Sequence, residues 1–207
     1  MTIHRNVISI RGVLQRYMKK QVRLLGIDDA PFSFEDSVSP IIGVVMRGGS
    51  YIEGVLREQI EIDGDDATRK ISAMIQNTRH KTQLRAVLLD GVAVGGFNIV
   101  DIKSLHDSTG IPVITVTRDA PDLDAIQRAL QSNFDDWRKR WDLLTQGTLY
   151  PIATKHNPIY VKCVGISEEE TKEIITLSTI RGVIPEPIRV AHLIASGITR
   201  GESYGKA

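Results

Sequence analysis

Two aspartates occupy positions where a metal-dependent reaction could take place. Asp28 follows a short apolar run, and Asp90 follows a longer one at 84–89. Because α/β proteins bind ligands at the carboxyl ends of central strands, both carboxylates are expected at one edge of a sheet. Two like charges there need a counter-ion, and a hard divalent cation accepts oxygens from both. An ordinary turn is the alternative, since Asp-Gly at 90–91 is a common turn dipeptide and Asp29 could cap a turn.

A histidine near the C-terminus lies in an unusually apolar segment. Between 188 and 196 apolar residues cover most of a helical wheel, and only Arg189, His192 and Ser196 share a narrow polar stripe. Such a helix is expected to be buried, so its polar stripe faces either a thin strip of solvent or a polar interior site. A lone histidine is more often structural than a ligand, but the neighbouring Arg189 favours a site.

The first elements that must position these side chains form an antiparallel unit. Alternating or continuous apolar runs predict three strands, at 22–27, 41–46 and 51–62. The period then changes to helical spacing at 67–78, after a turn rich in aspartate and glycine.

The later elements alternate between strand and helix, which is typical of parallel strands covered on both faces. These elements are strands at 84–89 and 111–116 and helices at 99–108 and within 123–144. A strand at 159–164 and helices from Ser167 and from Pro185 are predicted after them. Three antiparallel strands followed by parallel strands are the order of the ribonuclease H-like fold, an α/β fold with a mixed sheet flanked by helices. In that arrangement strands one and four are neighbours, so Asp28 and Asp90 are expected to meet.

Composition limits the class of protein. The chain of 207 residues is 42% hydrophobic, enough for one sizeable core, so we expect one domain over 1–207 with a basic N-terminal extension at 1–20. The apolar stretches are far shorter than the roughly 20 residues that span a bilayer, and no signal region follows the N-terminal basic residues. We therefore expect a soluble, cytoplasmic protein. The single cysteine, Cys163, excludes a disulfide framework and a thiolate zinc cage within one chain.

Net charge does not indicate a nucleic-acid-binding protein, because it is only +1. Two local basic clusters remain, one between Arg11 and Arg23 and one at 138–140 beside two tryptophans. Either cluster could contact phosphates, and a solvated helix face explains both equally well.

The sequence resembles the endonuclease V family in four segments. Leu-Gly-Ile-Asp at 25–28 and Leu-Leu-Asp-Gly at 88–91 look like the two strand-ending aspartate motifs of that family. Ile-Pro-Glu-Pro-Ile-Arg-Val-Ala-His at 184–192 closely resembles its C-terminal Pro-Glu-Pro segment, which is the most specific match. The segment 110–118 is similar to the strand that ends in a phosphate-contacting lysine, with Arg118 in place of the lysine. The matches span most of the chain in order, and the whole looks closest to an archaeal branch related to endonuclease V.

This resemblance implies hydrolysis of phosphodiester bonds in DNA or RNA with Mg²⁺ or Mn²⁺. Asp28 and Asp90 would be metal ligands, and His192 would stand beside them as the helix-borne fourth group. Arg118 would hold a phosphate and stabilise charge on its oxygens, with Arg189 as a second substrate-binding candidate.

The chain departs from the family in its recognition elements. The Tyr-Ile-Pro-Gly wedge that reads a deaminated base has only a poor counterpart, Tyr-Ile-Glu-Gly at 51–54, and Glu58 shares the apolar face of the same predicted strand. The third carboxylate is instead expected between strand three and the first helix, with Asp63 as a metal ligand and Asp66 as a catalytic group. The histidine that follows the second aspartate motif in the family is absent, because Val-Ala-Val-Gly-Gly occupies 92–96. Inosine recognition is therefore not implied.

Three functions remain open from the sequence. The leading hypothesis is a divalent-metal-dependent nuclease that acts on DNA or RNA. The alternatives are a non-catalytic nucleic-acid-binding module with the same fold, and a crevice that binds a small phosphorylated ligand.

Overall fold

The computed structural model describes residues 21–33 and 35–203. Its strands are β1 (Arg23–Asp29), β2 (Val38–Arg47), β3 (Tyr51–Glu61), β4 (Leu84–Asp90), β5 (Ala93–Val94), β6 (Asn98–Ile99), β7 (Val113–Thr117), β8 (Tyr150–Ile152) and β9 (Ile159–Val164). Its helices are α1 (Ala67–Asn77), α2 (Ile102–Thr109), α3 (Leu123–Asn133), α4 (Trp137–Thr145), α5 (Glu168–Ser178) and α6 (Glu186–Arg200), with a short 3-10 turn at Lys81–Gln83. The predicted basic extension at 1–20, with most of the first basic cluster, lies outside these residues.

A seven-stranded mixed sheet forms the centre of the fold, in the order β3-β2-β1-β4-β7-β9-β8. Strands β1, β2 and β3 are antiparallel, whereas β1, β4 and β7 run parallel. The sheet therefore has the predicted order, with strands one and four adjacent. Strands β9 and β8 add an antiparallel far edge, which the sequence pattern did not specify.

Alternate residues of the central strands face two separate layers of helices. Leu25 in β1 and Leu89 in β4 pack in the core that contains the apolar faces of α1 and α2. Leu24 and Leu88 face the opposite way, into the core that contains α5 and the start of α6. Even-numbered residues of β1 and β4 therefore point toward α6.

Two predicted boundaries differ from the structure for local reasons. Strand β1 continues to Asp29, because Asp28 and Asp29 still pair with Ile42 and Ile41 of β2. The helix predicted from residue 99 begins at Ile102, because the Asp101 side chain accepts a hydrogen bond from Ser104 N and caps the helix. A small hairpin of β5 and β6 precedes it.

None of the helices in the ranges described above is both long enough and apolar enough to cross a membrane.

Gly26 sets the distance between β1 and α6. A Cβ atom at this position would lie 2.1 Å from the carbonyl carbon of Pro187 and 2.4 Å from the backbone nitrogen of Ile188. Backbone atoms cannot move aside as a flexible side chain can, so only glycine allows the first turn of α6 to pack on the strand.

This close contact predicts opposite effects for two glycine substitutions. We expect Gly26→Ala to lower the free energy of unfolding by at least about 2 kcal/mol, because the helix must move outward. Gly197→Ala, where an added Cβ meets nothing within 4 Å in the same helix, is expected to raise it by about 0.5–1 kcal/mol. Urea denaturation followed by circular dichroism measures both. Equal effects of the two variants would contradict the proposed contact.

Candidate active site

Asp28 and Asp90 lie side by side at the carboxyl ends of adjacent parallel strands. Ile27 pairs with Leu89, so the residues that follow them occupy neighbouring positions. Side chains alternate along a strand, so those of Asp28 and Asp90 point toward α6, as those of Leu24 and Leu88 do. Asp28 is buried, with 5% of its surface exposed, and Asp90 is half-buried. The structure therefore brings together the two carboxylates that the sequence placed at strand ends.

His192 completes one side of this pair from α6. Its Nδ1 lies 2.8 Å from Oδ2 of Asp28, and the backbone nitrogen of Asp29 donates to the other oxygen of Asp28 at 2.9 Å. Nδ1 is the ring nitrogen in this contact with the carboxylate, and Nε2 takes no part in it. The hydrogen bond with Asp28 is the main cause that raises the pKa of His192.

Electrostatic strain is concentrated on Asp90. Burial, followed by repulsion from Asp28, raises the pKa of Asp90 to about 7, while the positive charges of Arg118 and His192 act in the opposite direction. Val116 of β7 pairs with Asp90. Arg118 lies two residues further along the chain, so its side chain is on the same face of the sheet as that of Val116. Four of the side chains predicted to form the site, Asp28, Asp90, Arg118 and His192, thus influence one another at one edge of the sheet.

Asp29 is a third acidic group beside this pair, and the sequence analysis treated it only as a turn residue. Its Oδ2 accepts a hydrogen bond from Gly95 N at 3.0 Å. Burial, followed by the charge of Asp28, raises the pKa of Asp29 to about 6. The available sequence signal was the tandem of two aspartates at the end of one strand, of which only the first was considered.

The carboxylate of Asp63 holds the β5–β6 hairpin. Oδ1 of Asp63 accepts from Phe97 N at 2.7 Å, and its own backbone nitrogen donates to Gly95 O at 2.8 Å. Asp63 adopts a φ of 56°, a left-handed conformation that aspartate tolerates better than most residues. The structure therefore gives Asp63 a loop-fixing role where the sequence analysis expected a metal ligand.

Asp66 has a similar position. Its Oδ1 accepts from Asn98 Nδ2 at 2.8 Å and from Glu61 N at 3.1 Å, and 8% of its surface is exposed. These bonds join the end of β3 and the start of α1 to the β5–β6 hairpin. The carboxylate is committed to buried polar partners, so this geometry does not support the expected catalytic role.

Arg189 is paired with a carboxylate of its own helix. Its guanidinium donates to Oε2 of Glu186 at 2.6 and 2.9 Å. Glu186, which is 5% exposed, also accepts from Arg181 N through its other oxygen. The Pro-Glu-Pro segment therefore uses its glutamate to fix the turn before α6 and to neutralise Arg189, which was expected to bind substrate.

The segment 51–54 lies far from the pair. Tyr51 pairs with Arg47, which in turn pairs with Arg23 at the start of β1, whereas Asp28 is near the end of that strand. This placement agrees with the interpretation that the Tyr-Ile-Glu-Gly segment is not a recognition wedge.

The second basic cluster is mostly engaged within the protein. Arg140 is 9% exposed and donates to the carbonyl oxygens of Gly64 and Phe97. Arg138 stacks on Trp137, and Lys139 pairs with Asp65. Arg140 therefore supports the β5–β6 hairpin, whereas the side chains of Arg138 and Lys139 remain exposed.

A divalent cation fits the donor set at the strand ends. Across 21–33 and 35–203 no group of three or more histidine, cysteine, aspartate or glutamate side chains is arranged to hold a metal. Mg²⁺, however, is commonly bound by one or two carboxylates together with water and substrate phosphates. Two neighbouring carboxylates, one with its pKa raised by burial and by the charge of the other, are suited to that mode of binding.

Comparisons with known proteins agree with this architecture. The sequence matches the endonuclease dU family over residues 20–199. A UPF0215 protein from Methanothermobacter thermautotrophicus is 45% identical over 205 residues, which cover 98% of this chain and 100% of that protein. A crystal structure of a protein of unknown function from Archaeoglobus fulgidus has a TM-score of 0.76 and 36% identity, covering 86% of this chain and 98% of that chain.

Endonuclease V is a more distant structural neighbour. The crystal structure of Ciona intestinalis endonuclease V, in complex with DNA that contains an inosine, has a TM-score of 0.58 and 13% identity, covering 92% of this chain and 99% of that chain. This similarity confirms the ribonuclease H-like fold. Together the comparisons also confirm the predicted relationship to an archaeal branch near endonuclease V.

The loop-fixing role of Asp63 can be tested by two substitutions. Asp63→Asn keeps an acceptor oxygen and tolerates the left-handed backbone, so we expect its free energy of unfolding to stay within about 1 kcal/mol of the parent. Asp63→Ala is expected to cost about 1–2 kcal/mol, because Phe97 N loses its acceptor and alanine tolerates the left-handed backbone less well. Thermal and urea unfolding measure both variants.

A control for these variants is available in the same turn. Asp65→Ala removes an aspartate whose side chain is 68% exposed, and it should change stability by less than about 0.5 kcal/mol. A stable Asp63→Asn protein that had lost Mn²⁺ binding would instead assign Asp63 to a metal site.

Proposed function

We propose that this chain, which belongs to the endonuclease dU family, hydrolyses phosphodiester bonds of DNA with a divalent cation held by Asp28 and Asp90. The observation that carries the proposal is the position of these two carboxylates at neighbouring strand ends, with His192 and Arg118 acting on the same charges. Family and fold support a nuclease-like role, and the proposal adds the cation, the DNA substrate and the residues.

Asp28 and Asp90 would provide the oxygen ligands. Each carboxylate oxygen has two acceptor positions, so Asp28 can bind His192 and the backbone of Asp29 and still keep lone pairs for a cation. Bound Mg²⁺ or Mn²⁺ would supply Lewis-acid polarisation of the scissile phosphate and would offset the repulsion within the pair.

Arg118 would hold the substrate phosphate. It follows β7 on the same sheet face as Asp90, and its charge acts on that carboxylate. A guanidinium binds a phosphate through two parallel hydrogen bonds, which orients the phosphorus and stabilises negative charge that develops on its oxygens.

His192 would position or transfer a proton. Its Nδ1 is fixed by Asp28, so the ring orientation is set and Nε2 is free to accept a proton from water or give one to a leaving oxygen. Asp29, through Gly95, would hold the hairpin that follows Asp90. Neither Asp63 nor Asp66 is needed as a ligand in this scheme.

The family name gives the first substrate to test. It refers to dU, whereas the Ciona intestinalis endonuclease V structure contains inosine in its DNA. The Tyr-Ile-Glu-Gly segment lies at the other end of the sheet, so base recognition in this chain must use other residues. DNA that contains a deoxyuridine is therefore the first substrate to test, and DNA that contains an inosine is the comparison.

The proposal predicts a metal-dependent cleavage that Asp90→Asn removes. Purified parent protein with Mg²⁺ or Mn²⁺ should cleave a labelled single-stranded oligonucleotide that carries one deoxyuridine. Asp90→Asn should lower the cleavage rate at least about a hundredfold, because the cation loses a charged ligand, while oligonucleotide binding without metal stays unchanged. Denaturing gel electrophoresis and fluorescence anisotropy measure the two properties.

Asp135→Asn is the matched control, because Asp135 is exposed on the loop between α3 and α4. It should cleave as the parent does. A parent protein that binds the oligonucleotide but cleaves neither deoxyuridine nor inosine DNA with either metal would contradict the nuclease proposal, and would support a non-catalytic binding module.

A further inference from the structure

Strand β3 forms one edge of the central sheet in the part of the chain that the structure describes, where it pairs only with β2. It is long for an edge strand, with eleven residues from Tyr51 to Glu61. Proteins commonly protect a sheet edge with short strands, bulges, prolines or charges, because unpaired backbone groups bind other strands. The backbone groups that face outward along β3 therefore decide whether this edge is open.

The backbone of β3 alternates between β2 and the outside of the sheet. Gln59 N donates to a side-chain oxygen of Glu58 at 2.9 Å, and Glu61 N donates to a side-chain oxygen of Asp66 at 3.1 Å. These two donors therefore do not bind β2, and odd-numbered residues of β3 face outward. The outward edge is already hydrogen-bonded at residues 59 and 61.

The outward backbone groups of Val55 and Arg57 bind no side chain among the residues that the structure describes. The side chain of Val55 is also 51% exposed, although Val44, its partner in β2, is fully buried. A further strand that paired here would cover Val55 and continue the ladder of hydrogen bonds.

A bulge limits the open stretch on its other side. The pairing with β2 shifts by one residue around Glu53, which is therefore an extra residue in β3. The regular stretch between this bulge and the bonded end is 54–58, with Leu56 at its centre. An identical strand can pair with this stretch in antiparallel orientation about a two-fold axis through Leu56.

Such a pairing places compatible side chains opposite each other. Leu56 meets its own copy on one face of the sheet, and Arg57 lies opposite Val55 on the other face. Glu58 lies opposite Gly54, which has no side chain. An axis through Arg57 or Glu58 would instead place identical charges opposite each other, which is unfavourable. The sequence of β3 is therefore complementary to itself about Leu56.

We infer that β3 pairs with β3 of a second copy of this chain about an axis through Leu56. The dimer would contain one continuous sheet, with seven strands from each copy. Val55 in one copy would exchange backbone hydrogen bonds with Arg57 in the other. Strand β1 is separated from this interface by β2 and β3, so the proposed active site at Asp28 stays open in both copies.

The size of the interface sets the expected affinity. Five paired residues from each copy bury less than the roughly 1,200 Å² of a standard stable interface. We therefore expect a dimer in exchange with the monomer, with a Kd of about 10–100 µM.

Sedimentation velocity of the full chain at about 1–300 µM tests the inference, and the parent should shift from monomer to dimer over this range. Val55→Lys should raise the Kd at least about tenfold, because each introduced lysine lies opposite Arg57 of the other copy. Combining Val55→Lys with Arg57→Glu should return the Kd to within about threefold of the parent, since each introduced lysine then faces an introduced glutamate.

Val55→Pro tests the backbone part of the pairing. Val55 N faces outward, so proline removes no hydrogen bond to β2 but blocks a further strand, and the Kd should again rise at least about tenfold. Ile198→Lys in α6 is the matched control, because Ile198 is 55% exposed but lies away from the strand edge. It should dimerise as the parent does. Circular dichroism checks that each variant is folded.

The outcomes separate an edge-strand dimer from other forms of association. A parent that stays monomeric over the whole range would overturn the inference. So would a dimer that survives both Val55→Lys and Val55→Pro, or one that only Ile198→Lys removes. A double variant that remains monomeric would overturn the axis through Leu56.

Discussion

The organisation of the site depends on repulsion between two neighbouring carboxylates. Asp28 and Asp90 occupy adjacent strand ends on one face of the sheet, where burial and mutual charge raise the pKa of Asp90 to about 7. A fold that keeps such a pair must supply positive charge nearby. His192 and Arg118 supply part of it, and the proposed cation would supply the rest.

Several local devices hold this charged pair in place. Gly26 allows α6 to approach β1, and Glu186 fixes the turn that leads into the helix, so His192 reaches Asp28. On the opposite side, Asp29, Asp63 and the contact of Asp66 with Asn98 hold the β5–β6 hairpin. The hairpin follows Asp90 directly in the sequence, so these aspartates hold the segment next to the charged pair.

The sequence predicted the parts of this arrangement that follow from periodicity and strand order. Asp28 and Asp90 end apolar runs, and His192 lies on the polar stripe of an apolar helix, so their meeting follows from the fold. The partners of Asp63 and Asp66 could not be predicted, because a hydrogen bond to Phe97 or Asn98 depends on tertiary geometry. The burial of Lys162 could not be predicted for the same reason, because its Nζ donates to the carbonyl oxygens of Leu144 and Gln146, which are distant in the sequence. The pair of Glu186 and Arg189 has the i,i+3 spacing of helical neighbours, so a sequence signal for it was present.

The central claim is that Asp28 and Asp90 share one cation. Anomalous diffraction from crystals of the parent protein soaked in Mn²⁺ tests it most directly. The account predicts a single strong peak within coordination distance of a carboxylate oxygen of both aspartates, and no such peak in crystals of Asp90→Asn. A peak at Asp63 and Asp66 instead, or no peak between Asp28 and Asp90, would contradict it.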